Sequence, residues 1–314
     1  MKAPVLLIGF NRPENMIQVF SRIREARPDV LYVAVDGARP DKDGEEEKCQ
    51  QCRDLVKQVD WPCELHTLFR EKNAGCALGV SGAISWAFEK EDRLIILEDD
   101  CLPELSFFTF CDEMLEMYKD DARIWQVCGR SNHANSLFFA NYDYLFSHYA
   151  HIWGWATWKR CWQHFDLKMS DCPQFLSEGG ALNVLQSEWL GKKTNKSVRR
   201  TYKNIKYISS HTWDVQWSYT KLKNGALGIV PIKNLVHNIG SASGAHSSGS
   251  YVEDIPSEEI TSNLRHPQFV IDNIAYDKYH YKHHISKHPS ILARVIGKIK
   301  REGFITAIKN YLNR

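Results

Sequence analysis

The chain has 314 residues, with 40 Lys and Arg against 38 Asp and Glu, a formal net charge of +2, 43% apolar residues and 25% charged ones. Those values fit a soluble globular chain of one large or two small domains, and they exclude a disordered chain, a collagen-like chain and a disulfide-packed miniprotein. No apolar run approaches the ~20 residues of a membrane-spanning helix, and Met1-Lys2 leads straight into an apolar run, so we expect no signal peptide and a cytoplasmic location.

In chain order, Val5 to Phe10 reads as a buried strand, and Asn15 to Ile23 as a helix behind Pro13, a residue suited to a first helical turn. Val30 to Val35 is a second buried strand, ending in Asp36-Gly37. Glu45 to Val59 is helical and Glu64 to Phe69 a third strand; Gly79 to Phe88 is helical, and Arg93 to Leu97 is a fourth strand ending in Glu98-Asp99-Asp100. Phe107 to Tyr118 is helical and Ile124 to Cys128 a fifth strand. Strands alternating with helices imply βαβ units and an α/β, Rossmann-like, doubly wound, mainly parallel sheet with helices on both faces. Further on, Trp153 to Trp162 is rich in Trp and Gly, Leu182 to Leu190 and Trp213 to Lys223 look helical, and Leu227 to Pro231 and Asn234 to Ile239 look like short strands. Gly240 to Gly249 has the composition of a flexible loop, able to close over a ligand or simply to lie at the surface.

The charge is unevenly spread. From Lys278 onward nine basic residues face one acidic residue, while the first 277 residues carry 31 basic and 37 acidic ones. Within that tail, Ile291, Leu292, Val295, Ile296 and Ile299 recur at helical spacing, and apolar residues resume after Gly303 on a shifted face. A basic amphipathic helical tail can bind anionic headgroups, or pack on the body or on a second subunit. Nucleic acid is not an expected partner, because the basic residues gather in the tail rather than across the body. Nine cysteines without a secretory signal read as reduced thiols, and Cys49-Gln-Gln-Cys52 has no second pair at zinc spacing.

In doubly wound sheets ligands bind beyond the carboxyl ends of the strands. The polar residues there are Asn11, Arg12, Asp36 and Glu98 to Asp100, with Arg70 to Gly75 preceding a helix start. Three adjacent carboxylates repel one another unless a cation joins them, and Mg²⁺ or Mn²⁺ takes one or two carboxylates together with phosphate oxygens; a solvated acidic turn is the alternative. Arg12 and Arg70 could face a phosphate. Asp36 could accept from a base or ribose hydroxyl, or simply form an Asp-Gly turn.

Val33-Ala-Val-Asp36-Gly37, Ile95-Ile-Leu-Glu98-Asp-Asp100, Phe107-Phe108, Trp153-Gly154-Trp155 and Trp213-Asp214 resemble, in order and in strand-end context, motifs of the GT-A nucleotide-sugar glycosyltransferases. The likeness is to N-acetylglucosaminyltransferase I and its bacterial relatives, and runs from about Pro4 to Gly240. The family motif has two acids beside its second Trp, whereas this chain reads Trp213-Asp-Val-Gln-Trp217. The resemblance implies a GT-A domain whose residues 1–130 bind the nucleotide sugar and whose residues 131–277 bind the acceptor; the basic amphipathic tail at 278–314 lies outside the resemblance. It also implies that Asp36 binds the base, that Arg12 lies near base or diphosphate, and that Glu98 meets the donor sugar. Asp99 would meet the ribose, Asp100 the metal, and Asp214 would be the catalytic base. His246 could reach the diphosphate or the metal, and His151, Trp153 and Trp155 could line the acceptor pocket or simply fill a core.

The implied activity is an inverting, Mn²⁺- or Mg²⁺-dependent transfer of a sugar from a nucleotide-sugar donor, UDP-linked in that relative. The acceptor would be a glycan or lipid-linked hydroxyl in surface polysaccharide synthesis; if the basic tail meets lipid rather than the body or a second subunit, the enzyme would be peripheral on the inner face of the cell membrane. Two alternatives remain at this stage. A sugar-1-phosphate nucleotidyltransferase would start with a Gly-rich loop, which Gly9-Phe-Asn-Arg-Pro13 is not. An inactive sugar-binding module would have no need of Asp100 and Asp214.

Overall fold

A computed structural model describes residues 2–132, 136–240 and 255–285. Its centre is an eight-stranded sheet in the order β3-β2-β1-β4-β8-β6-β9-β7. The first four of these in chain order are β1 (Val5–Gly9), β2 (Val30–Val35), β3 (Glu64–Phe69) and β4 (Arg93–Glu98). They pair in parallel, with Leu7 opposite Val33 on one side and Leu97 on the other. β1 and the middle of β4 are buried along their length, which explains their uninterrupted apolar runs: a parallel strand covered on both faces has no solvent side to mark by alternation. Helices α1 (Pro13–Ala26), α2 (Glu45–Asp54) and α3 (Gly75–Ala87) connect these strands. β1 sits between β2 and β4, so the chain winds away from β1 in one direction and returns on its other side. The β1/β4 boundary is thus the topological switch point, where such sheets bind ligands.

The far half of the sheet is mixed. β6 (Ile124–Cys128) and β9 (Leu227–Pro231) are parallel to one another, while β8 (Trp155–Trp158) runs antiparallel between β4 and β6, and β7 (Tyr144–Ser147) antiparallel on the edge. Both sequence halves therefore share one sheet and one apolar core. That core continues from Val5, Leu7 and Phe20 through Phe107 and Phe108 of α4 (Leu105–Met117) to Trp155 and Trp217. A second, two-stranded sheet pairs β5 (Cys101–Pro103) with β10 (Val236–Asn238), and its register sets Asn238 opposite Cys101.

The structure departs from the expected elements where local pattern is weakest. β5, β7 and β8 are strands of three or four residues with no periodicity to read. The run from Leu182 to Leu190 is not one helix. It is α7 (Ala181–Val184), a break, and α8 (Glu188–Lys203), which starts where the Ser187 hydroxyl accepts from the Leu190 amide at 3.4 Å. The helix from Glu45 ends at Asp54 and tightens into a 3₁₀ turn, Leu55–Gln58. Short helices α5 (Lys159–Trp162), α6 (Cys172–Ser177) and α9 (Ile205–His211) were also not expected, whereas α10 (Asp214–Lys223) was. At the C-terminal end of the described chain lie α11 (Ile274–His280) and a π-helical turn, Tyr281–Ile285. The amphipathic part of the tail, Ile291 onward, and His246 lie outside the described residues. No helix among the described residues is long and apolar enough to cross a membrane.

Gly154 is the hinge between Trp153 and β8. Its φ is +61°, and a Cβ there would meet the Val236 Cγ2 at 2.6 Å. Its carbonyl also accepts from the Gly129 amide at 2.7 Å, so the backbone cannot retreat. A left-handed conformation and a forced clash each cost ~1–3 kcal/mol. We expect Gly154→Ala to lower stability by at least ~1 kcal/mol, read as an earlier urea midpoint with an unchanged slope.

Candidate active site

The strand ends at the switch point carry a compact ionic cluster. β1 runs out through Phe10 and Asn11 to Arg12, which immediately precedes Pro13 at the first position of α1. β4 runs out through Glu98 to Asp99 and Asp100, both buried. Arg12 spans the gap between the two strands. Its Nη1 donates to the Asp100 Oδ2 at 3.0 Å and its Nη2 to the Asp99 Oδ1. The Phe10 amide donates to the other Asp99 oxygen at 3.3 Å. Gly240, just past β10, closes this cluster from above: a Cβ there would lie 2.4 Å from the Asp100 Oδ2 and 3.0 Å from the Arg12 Nη1. The β5–β10 pairing delivers it, and the Ile239 amide donates to the Asp100 carbonyl at 2.9 Å. Gly240, the last described residue of this segment, therefore stands at the acidic cluster itself.

One guanidinium does not neutralise three carboxylates. Loss of water and the charges of Asp100 and Asp99 push Glu98 up to about 8, and Asp99 is pushed to about 6 by burial despite Arg12. Asp214 adds further negative charge to Glu98. This surplus, carried wholly on oxygen donors, fits a hard divalent cation. Among the described residues no group of three or more His, Cys, Asp or Glu forms a protein cage for a metal. A cation at this cluster would therefore have to complete its shell on a ligand's phosphates.

Asp36 has a different local task. Its carboxylate accepts from the Gly37, Ala74 and Gly75 amides at 3.0–3.1 Å, and so ties the end of β2 to the start of α3. Arg70 is locked against the same helix, with Nη1 donating to the Gly79 carbonyl at 3.2 Å. Both stand at the expected strand-end rim, but both are already engaged with backbone. A feature absent from the sequence reading lies beside them. Arg39 covers the Phe10 ring at 5.5 Å and is clamped by Glu45, which also accepts from the Asn11 Nδ2 at 2.8 Å. Hydrogen bonds from Arg39 hold Glu45 down to about 2, so this clamp is ionised at any ordinary pH. Arg39 lies three residues beyond the strand end Asp36, which was the available signal.

Asp214 is held by its neighbours in sequence. Trp213 and Trp217, one helical turn apart, are both buried, and Trp213 stacks on Trp155 with ring centres 5.6 Å apart. The Trp217 indole donates to the Gln126 Oε1 at 3.0 Å. These anchors fix the first turn of α10 and leave Asp214 partly exposed, its carboxylate accepting from the Thr212 hydroxyl. Asp214 lines a cavity of about 360 Å³ together with His151, Trp153, Val198, Leu222 and Tyr281. Cys76, at the start of α3, lies within electrostatic reach of Glu98, Asp100 and Asp214, so the cavity wall and the acidic cluster share one neighbourhood. Trp153 projects to this cavity and carries the Arg130 guanidinium over its ring at 4.4 Å. Trp155 does not line it: it is fully buried in the Trp cluster, a core residue that positions Trp213. The structure thus brings Asp214, His151 and Trp153 together at one cavity, and Arg12, Glu98, Asp99 and Asp100 at one rim.

No family model matches the chain, and no curated protein matches it. Its similarity to solved structures is distant. The apo UDP-glucose pyrophosphorylase structure is 10% identical with a TM-score of 0.38, over 78% of this chain and 95% of that one. S. aureus TarS 1-349 is 9% identical with a TM-score of 0.36, over 52% of this chain and 48% of that one, so the chain spans about half its length. HddC from Yersinia pseudotuberculosis is 12% identical with a TM-score of 0.34, over 56% and 87%. The architecture described above is an α/β Rossmann-like fold with a mostly parallel sheet.

Two outcomes check this geometry. Arg12→Met leaves Asp99 and Asp100 buried without their cation, which should cost roughly 3 kcal/mol, the low end for breaking a mostly buried ion pair. The urea-unfolding loss should shrink as the pH is lowered and the carboxylates take up protons. Second, Glu98 and Asp99 hold protons in the folded state that the unfolded chain has shed, so without divalent cations stability falls as pH rises through about 6 and about 8. Between about pH 6.5 and about pH 9 the thermal midpoint should therefore drop in the wild type, and drop less in Glu98→Gln.

Proposed function

We propose that the protein is an inverting glycosyltransferase that moves a sugar from a nucleotide-sugar donor, UDP-linked in our reading, to a hydroxyl of a glycan or lipid-linked acceptor. The observation that carries this reading is the placement of a lone, partly exposed carboxylate, Asp214, on a cavity next to an acidic cluster at the topological switch point. A donor diphosphate would lie at the rim formed by Arg12 and Glu98, and Arg39 on Phe10 offers a cationic platform for the nucleotide. Asp100, with Glu98 beside it, would hold Mn²⁺ or Mg²⁺, which when bound supplies charge neutralisation for the departing diphosphate.

The remaining work falls to side chains. Asp214 takes the proton from the acceptor hydroxyl as the oxygen attacks the anomeric carbon from the side opposite the diphosphate, so the anomeric configuration inverts. Trp213 and Trp217 keep that carboxylate from swinging into the core. His151 and Trp153 give the acceptor an aromatic wall, and the largely apolar lining of Val198, Leu222 and Tyr281 excludes water that would hydrolyse the donor. The first 130 residues then serve the donor and residues 131–277 the acceptor.

A screen of nucleotide sugars by thermal shift, with and without Mn²⁺, should give one donor that stabilises the protein only with the cation. Asp100→Ala should abolish that cation-dependent shift. Asp214→Asn should keep the shift and the melting temperature, while transfer falls by ~10²–10⁴-fold. Transfer by the Asn variant at a tenth of the normal rate or more would remove Asp214 as the base, and release of pyrophosphate rather than a nucleoside diphosphate would point to nucleotidyl transfer.

A further inference from the structure

Helix α8 has two opposed faces. Leu190, Thr194 and Val198 are buried, and Thr194, Ser197, Val198 and Thr201 wall the cavity that contains Asp214. At 3.6 residues per turn, Lys192, Lys193, Lys196, Arg199, Arg200 and Lys203 fall together within an arc of roughly 120° on the opposite side. All six are exposed. Lys206 continues the row into α9, and of these seven cations only Lys192 is ion-paired among the described residues, to Glu188 at 2.5 Å. The segment Glu188 to Lys206 thus has seven basic residues against one acidic, whereas the rest of the chain up to Asp277 has 24 against 36. Such segregation gives an otherwise acidic body one strongly positive side.

Two aromatic side chains flank the row: Trp189 is 45% exposed and Tyr207 is 66% exposed. Trp189 leans on Tyr281, a cavity residue, with ring centres 5.7 Å apart, and Leu182 and Ile285 add exposed apolar surface in the flanking segments. The face is the outer side of a helix about 24 Å long, and the outer surface of a helix is convex. A polyanionic chain is best held in a cleft, whereas a convex cationic ridge with amphipathic rings at its ends matches a planar anionic surface.

We propose that the outer face of α8 is the surface by which the protein adsorbs to an anionic lipid bilayer, holding the cavity one helix thickness from the headgroups. The assignment rests on the outer face of α8 with its flanking residues and stands whether or not Asp214 is the base.

The test is sedimentation of the full chain with vesicles of phosphatidylcholine alone or with about 30% phosphatidylglycerol, at low and high salt. Each cation near such a surface contributes about a five-fold factor in partitioning. The quadruple variant K196Q/R199Q/R200Q/K203Q changes only exposed side chains, and an unchanged melting temperature will show that it folds. Its partitioning to the anionic vesicles should fall by at least ~10-fold, with the wild-type binding lost at high salt. A companion variant, K298Q/K300Q/R301Q, neutralises part of the tail and should keep most of the binding. The proposal is overturned if the α8 variant binds like the wild type, if the tail variant alone loses binding, or if the wild type ignores the anionic vesicles. Binding of heparin without binding of vesicles would equally overturn it, in favour of a soluble polyanion.

Discussion

The ion pairs of Arg12 with Asp99 and Asp100 connect the two sides of the topological switch point, and much of the site's arrangement follows from them. β1 and β4 are neighbours in the sheet, yet 80 or more residues apart in the chain. Their ends would splay if three carboxylates faced one another without a cation. With Arg12 drawn across, the Phe10 amide reaches Asp99, and Asp100 is turned toward Gly240. The pair is mostly buried, so its net contribution to stability is small against the cost of desolvation. Its effect is better described as positional: one cation fixes where two carboxylates point and leaves Glu98 unneutralised.

That residual charge makes the site receptive. The half-buried Glu98 carboxyl, pushed up to about 8 by lost water and by the charges of Asp100 and Asp99, marks a place short of positive charge. A divalent cation arriving with a diphosphate would supply it, and the complex would gain what the free protein lacks. The same reasoning explains why so small a residue as Gly240 stands above Asp100. Any side chain at that position would collide with the Asp100 oxygen that accepts from Arg12 and with Arg12 itself.

The second half of the molecule contributes rigidity of another kind. Trp155, Trp162, Trp213 and Trp217 form one packed cluster whose rings meet at 5.3–6.3 Å. Such a cluster has little freedom to rearrange. Asp214 is embedded between two of its members in sequence, so its carboxylate is aimed by the core rather than by a loop. α8 then separates the resulting cavity from its own row of exposed cations.

The amino-acid sequence by itself determined the parallel half of the fold. Runs such as Val5 to Gly9 and Val30 to Val35 are buried on both faces, and that burial writes itself as an unbroken apolar stretch closed by polar residues. It also placed Arg12, Asp36 and Glu98 to Asp100 at strand ends, because a βαβ chain puts every such end on one rim. Only the tertiary structure decided what those residues touch. Asp36 is spent on the amides of Ala74 and Gly75, Trp155 belongs to the core, and Arg39 joins the rim by way of Glu45 and Phe10. The short strands β5, β7 and β8 were equally beyond reach, since three or four residues carry no period and form only when a distant partner offers its hydrogen bonds. A sequence records which groups want burial or water; which group meets which is settled by packing among residues far apart in the chain.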